Sequence, residues 1–202
     1  MNPQPIYQLG SGSVDALRRH FMQLGPADRR LRFGVAPSDA MIDRYVGGID
    51  FGRDSLFGVF DDALELSAVA HLACFDGAAE LGLSVLESHR HCGAGTALFA
   101  RAAIRARNLQ ISELFMHCLA ENAAMMHIAR KAGMRIVLES HDADAYVELP
   151  PGTALTLGQE LMDQQVALVD WTMKAQVLHA NSATRELLGR FTGTLNAFLN
   201  SR

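Results

Sequence analysis

The feature that most constrains this chain is the run Ala79-Glu80-Leu81-Gly82-Leu83-Ser84-Val85-Leu86, followed by Glu87-Ser88-His89-Arg90-His91-Cys92-Gly93-Ala94-Gly95-Thr96-Ala97-Leu98. It reads as an apolar strand that enters a glycine loop and leaves it as a helix. Such a loop turns several backbone N–H groups toward one point, and the helix dipole behind them favours an anion there. A phosphate-bearing ligand is the expected occupant. A P-loop would place lysine between a glycine and Thr96, and Gly95 adjoins Thr96 directly. A dinucleotide fingerprint fails as well, because Leu98 stands at the third glycine position and Glu113 begins the next strand rather than ending it.

At 202 residues the chain holds one well-packed domain with an appendage, or two small domains. A formal net charge of −4 and a pI near 6.0 argue against a nucleic-acid binder that relies on bulk charge. The basic clusters Arg18-Arg19-His20 and Arg29-Arg30-Leu31-Arg32 read as solvated helix faces. No apolar stretch reaches the ~20 residues of a membrane span, and the start Met1-Asn2-Pro3-Gln4-Pro5 has no signal-peptide pattern. Cys74, Cys92 and Cys118 are odd in number and lack CxxC spacing, as expected of reduced thiols in a cytoplasmic protein.

Periodicity predicts helices over 14–24, 27–33 and 38–45, with Ser38 capping the third. Strands follow over 55–60, 64–74 and 79–86, then a helix over 96–107, a strand over 114–119 and a helix over 123–131. Two further strands, 135–139 and 143–149, precede Pro150-Pro151-Gly152. That order is mixed α/β (α+β), and the expected organisation is one domain over 1–150 and a helical extension over 151–202. In the extension, Leu157, Leu161, Val166, Leu168, Trp171, Met173 and Val177 fall in one helical pattern. Asn181-Ser182 can cap a second helix carrying Leu187, Leu188, Phe191, Leu195 and Phe198. The expectation is a helical hairpin whose apolar stripes are buried on the core or on a second subunit, which makes a homodimer through these helices an expected assembly.

The order Val85, Arg90, Gly93, Ala94, Gly95 before a helix resembles the pyrophosphate loop of the GNAT N-acetyltransferases. A second block, Asn122-Ala123-Ala124-Met125-Met126-His127-Ile128-Ala129-Arg130-Lys131-Ala132-Gly133, is similar to the family segment that follows a strand. The two blocks lie about thirty residues apart in the family's order, and the resemblance covers roughly residues 14–149. It implies the GNAT acyl-CoA acyltransferase fold, a mixed, mostly antiparallel sheet flanked by helices. It also implies acetyl-coenzyme A as cosubstrate, held by Val85, Leu86, Arg90, His91, Cys92, Gly93, Ala94, Gly95 and Thr96, with Asn122 meeting the pantetheine arm. His91 stands where the family commonly has glycine.

Many members carry a tyrosine seven residues after the asparagine, as proton donor to the departing thiolate, and here that position is Ala129. Bacterial protein-lysine acetyltransferases of this family often have Asn-x-x-Met-x-x-x-Ala, as Asn122, Met125 and Ala129 do. They also resemble the chain in Asp28-Arg29-Arg30-Leu31-Arg32-Phe33, although Arg30 replaces their usual tyrosine, and in Glu80. The resemblance implies that Glu80 is the general base, since an ammonium with pKa near 10 must lose a proton before it attacks a thioester. Read alone, Glu80 is equally a solvent-facing strand carboxylate.

The implied activity is acetyl transfer to a primary amine, a protein lysine or a small molecule. The alternative is an acyl-coenzyme A sensor that has lost catalysis, which Ala129 motivates. His89, His91, Cys92, His117 and Cys118 do not read as a metal site, because the first three lie inside the loop and the family uses no metal. Cys92 has no visible base to make it a nucleophile and reads as a loop thiol.

Overall fold

The computed structural model describes the backbone of residues 4–199, with side chains through Ser182 and at Thr184. Seven strands form a single sheet in the order β1-β2-β3-β4-β5-β7-β6. They are β1 (Tyr7–Leu9), β2 (Ser55–Phe60), β3 (Leu66–Cys74), β4 (Ala78–Val85), β5 (Glu113–Leu119), β6 (Arg135–Glu139) and β7 (Asp142–Glu148). The helices are α1 (Val14–Gln23), α2 (Pro26–Phe33), α3 (Asp39–Gly47), α4 (Ala94–Asn108), α5 (Ala123–Lys131) and α6 (Ala154–Leu199). Every neighbouring pair of strands is antiparallel except β4 and β5, which are parallel and joined through α4. This is the mixed, mostly antiparallel sheet that the sequence predicts.

Alternation along β3 and β4 separates two cores. On one face Ala70, Leu72, Leu81 and Leu83 pack with Leu98 and Ala102 of α4 and Met125 and Ile128 of α5. On the other, Val69 packs with Leu17 and Phe21 of α1 and Ile42 and Val46 of α3. Glu80, Gly82 and Ser84 alternate with Leu81 and Leu83, and so share this second face. Ser38 caps α3 as expected, its hydroxyl accepting from the Met41 amide at 3.4 Å.

β1 is absent from the sequence reading because three residues after a proline carry no periodicity. β3 starts at Leu66 rather than at 64. The Asp61 carboxylate accepts from the amides of Ala63 and Glu65, both at 2.9 Å, and holds Leu64 in a turn at φ 59°.

The expected hairpin is one continuous helix, α6, of 46 residues. No glycine or proline interrupts residues 159–188. Ser182 does not cap a new helix, because its hydroxyl donates back to the His179 carbonyl at 2.9 Å, a bond made within a helix already running. The apolar side chains expected on the second arm, Leu187, Leu188, Phe191, Leu195 and Phe198, lie outside the described side chains.

The first arm is not buried on the core either. Leu161 is 62% exposed, Leu168 61% and Met173 62%. α6 docks instead through Thr156, Glu160 and Ala167, which are buried, and through Trp171, whose ring meets Tyr7 and Phe60 edge-on at 5.9 and 5.0 Å.

Candidate active site

The pairing of β4 with β5 ends early. Ala78 faces Glu113, Ala79 faces Leu114 and Glu80 faces Phe115, and there the pairing stops, although β4 runs on to Val85 and β5 to Leu119. Each strand stays paired on its other side, β4 with β3 from Ala79 to Val85 and β5 with β7 along its whole length. The sheet therefore splits, with Glu80 and Phe115 at the apex and two unpaired backbone edges diverging from it. Unpaired peptide groups on both walls suit an extended ligand that carries amides of its own.

The glycine loop lies at the open end of β4. The N–H groups of His91, Cys92, Gly93, Ala94, Gly95 and Thr96 have no main-chain acceptor among the described residues. The first helical bond of α4 is Ala97 N–H to the Gly93 carbonyl at 3.0 Å, so the donors before it point out of the helix start. Gly93 has φ 86°, the left-handed conformation that a side chain disfavours. His91 shares that region at φ 62°, which explains why glycine suits its position. Together the loop is an anion cradle at a helix N-terminus.

The other expected residues take up structural work around this cradle. Arg90 pairs with Asp28 of α2 at 2.7 Å and donates to the Val85 carbonyl at 3.2 Å. Cys92 is half-buried, with its sulfur 2.8 Å from the His89 carbonyl oxygen. Buried Asn122 caps α5, its side chain accepting from the Met125 amide at 3.1 Å and donating to the Leu31 carbonyl at 3.2 Å. Arg30, also on α2, pairs with Glu121. α2 is thus tied to both rims of the split, through Asp28 on the β4 side and through Arg30 and Leu31 on the β5 side. Ala129 is buried at 1% exposure, within the core between α5 and the sheet.

Beside Glu80 the sheet carries polar side chains that the spacing of the sequence did not mark. His71 faces Gly82 across β3 and β4, donating to Asp54 at 3.1 Å and meeting the Tyr45 hydroxyl at 2.7 Å. Burial pushes the His71 pKa down, so the ring is neutral and its Nδ1 accepts from Tyr45. Burial pushes Asp54 up, but hydrogen bonds from Arg53, His71 and the Cys74 amide outweigh it and hold the carboxyl below its ordinary value. On β5, exposed His117 pairs with Asp144 at 2.7 Å, and that bond raises its pKa. Phe75, Phe115 and Tyr146 form an aromatic row alongside, with centroids 6.5 and 6.2 Å apart. A separate groove of about 580 Å³ lies between β1 and α6, away from the split.

The Acetyltransferase (GNAT) family profile matches residues 18–134, which span α1 through α5 and both motif blocks. The chain belongs to the GNAT acetyltransferase family. Among solved structures, the GNAT domain of S. lividans PAT superposes with a TM-score of 0.61 at 18% identity, over 71% of this chain and 89% of that one. A phosphinothricin acetyltransferase from Sinorhizobium meliloti in complex with AcCoA gives 0.58 at 14% identity, over 74% and 91%. An N-acetyltransferase from Staphylococcus aureus Mu50 gives 0.57 at 12% identity, over 74% and 100%. At such identities the likeness is one of fold. No curated protein matches the chain by sequence. Among the described residues no group of three or more His, Cys, Asp or Glu is arranged to hold a metal ion, and no helix is long and apolar enough to cross a membrane.

Proposed function

We propose that this GNAT member transfers the acetyl group of acetyl-coenzyme A to a primary amine by direct attack in a ternary complex. The observation that carries the reading is the split between β4 and β5, with the anion cradle at its open end and Glu80 at its apex. The pyrophosphate would lie on the N–H groups of 91–96, and the pantetheine amides would bond the unpaired strand edges. Val85 and Leu86 flank that path, while Arg90 and Asn122 hold its rims. The thioester would then reach the apex. There Glu80 takes a proton from the acceptor ammonium, directly or through water, and the neutral amine attacks the carbonyl carbon. The C–S bond breaks, coenzyme A leaves as thiolate, and the second nitrogen proton passes to water.

Ala129 supplies no proton to that thiolate, and a thiol pKa of about 8.5 lowers the cost of its leaving unprotonated near neutral pH. The catalytic unit in this reading is 1–150, with 151–202 as an extension that joins two copies of the chain in a homodimer. The site of action is the cytoplasm, in keeping with the unpaired Cys74, Cys92 and Cys118.

Thiol release over a panel of amines and lysine peptides tests the chemistry, with calorimetric titration of acetyl-coenzyme A alongside. Glu80→Gln should lower kcat by about 10²- to 10⁴-fold with cosubstrate affinity unchanged. Absence of acetyl-coenzyme A binding would refute the reading. Binding without turnover on any acceptor, together with no effect of Glu80→Gln, would favour the sensor.

A further inference from the structure

We propose that the acceptor is a small amino-carboxylate whose own carboxylate is bound by Arg32, on the face of β4 that carries Glu80. The proposal rests on the acetyl-transfer reading and names the acceptor class for that same site.

Three arginines of α2 meet different surroundings. Arg29 pairs with Asp39 at 2.7 Å and also donates to the carbonyls of Met22, Leu24 and Pro37. Arg30 has Glu121. Arg32 has no ion pair among the described residues. Its Nη2 donates to the Tyr45 hydroxyl at 3.0 Å, and its Nε is buried without a partner. A guanidinium is charged at any working pH, and withdrawing it from water without a counter-ion is unfavourable. The rings of Phe33, Tyr45 and Phe21 lie 5.0, 5.8 and 6.0 Å from its Cζ and offset part of that cost. They answer none of its N–H donors.

Its position is as telling as its lack of an ion pair among the described residues. A Cβ on Gly82 would meet Nη2 at 2.3 Å, Cζ at 2.4 Å and Nη1 at 2.6 Å. The guanidinium therefore lies flat on the β4 backbone, in the space that a side chain would fill. Gly82 nonetheless remains partly exposed, so solvent, and with it a ligand, can reach this part of β4.

Tyr45 holds the guanidinium there, and His71 and Asp54 hold Tyr45 in turn. The Asp54 charge thus reaches Arg32 only through two neutral side chains. The Glu80 backbone lies two residues along the same face, roughly 7 Å from that of Gly82 at strand rise. A cation and a carboxylate at adjacent positions of one face match a zwitterion in reverse, with the acceptor carboxylate on Arg32 and its amine at Glu80. A lysine side chain carries no carboxylate near its amine and would leave Arg32 unanswered.

The test compares glycine, β-alanine and L-phenylalanine with their primary amides, by thiol release and by calorimetric titration into protein saturated with coenzyme A. The wild type should prefer at least one acid over its amide by about 10- to 100-fold in kcat/KM, the worth of a charge-assisted bidentate pair. Arg32→Gln should abolish that preference by lowering turnover of the acid alone, and Arg32→Lys should retain part of it. Gly82→Ala, whose Cβ displaces the guanidinium without removing it, should reproduce the loss, and carries the comparison if Arg32→Gln does not fold. Equal acid-to-amide ratios in wild type and Arg32→Gln overturn the proposal. If the wild type acetylates nothing yet binds an acid in an Arg32-dependent way, the transfer reading fails and the carboxylate site stands. Turnover of plain amines with neither preference for nor binding of any acid overturns the carboxylate site alone.

Discussion

His20 shows how much one buried side chain can set the response of the fold to pH. Its Nδ1 faces the Leu66 carbonyl at 2.9 Å, which can only accept, so Nδ1 carries the proton and Nε2 accepts from the Ser84 hydroxyl at 2.8 Å. Burial disfavours a second proton and lowers the His20 pKa from 6.5 to about 4. The unfolded chain takes up that proton below pH 6.5, whereas the fold resists it until near pH 4. Stability from this residue is therefore full above pH 6.5 and declines as the pH falls toward 4, by roughly 3 kcal/mol in all. His71, also shifted down by burial, acts in the same direction. Urea unfolding between pH 7 and about 4 should show the decline, and His20→Gln should flatten it; an unchanged slope in the variant would assign the effect to other groups. Nothing in the sequence around His20 sets it apart from the arginines beside it. Its role comes from Leu66 and Ser84, 46 and 64 residues away.

Between elements, the contact of α4 with α6 depends on a buried ion cluster. Arg101 is 3% exposed, with its guanidinium 4.5 Å above the Phe57 ring, and pairs with Glu160 at 3.1 Å and Asp163 at 3.6 Å. Asn108 also donates to Glu160, at 2.6 Å, and to the Thr156 carbonyl at 3.2 Å. Removing one partner leaves a charge in the interior. Glu160→Ala should therefore lower stability by about 3–5 kcal/mol, whereas Arg101→Met combined with Glu160→Leu should come close to wild type. Chemical denaturation of both variants measures the difference, and equal losses would argue against a buried-charge mechanism. The sequence marks 96–107 as an alanine- and arginine-rich helix and is silent on which arginine turns inward. The helical periods, the strands and the cradle are legible locally. The pairing of Arg101 with Glu160 is not, because it joins residues 59 positions apart.

For the whole molecule, the unresolved balance is the apolar surface of α6. Leu155, Leu161, Met162, Val166, Leu168, Val169 and Met173 are all more than half exposed in the single chain. Patches of this extent on soluble proteins mark association surfaces. In the proposed homodimer they meet their copies, and sedimentation should report two subunits at micromolar concentration. Leu161→Glu with Leu168→Glu should return the chain to a folded monomer, since both residues face water in the single chain, and its melting temperature should no longer depend on protein concentration. A monomeric wild type would exclude the dimer. Deleting 153–202 is a poorer test, because it also removes Glu160 and Asp163, the ion partners of Arg101.

What the sequence determined by itself is what short range dictates. Glycine loop, caps and apolar periods follow from backbone sterics and from which residues share a face, and they sufficed for a mixed α/β order and for the cradle at 91–96, while the GNAT fold came from the resemblance of two motif blocks. The tertiary structure decided everything that depends on residues distant along the chain. It set the split at Glu80 and Phe115, because strand divergence depends on what each strand pairs with on its other side. The one helix in place of the expected hairpin is a local outcome by contrast, since no glycine or proline interrupts residues 159–188. The tertiary structure also laid Arg32 on Gly82 with no ion pair among the described residues. Burial and charge compensation belong to neighbourhoods in space, and a linear pattern does not record them.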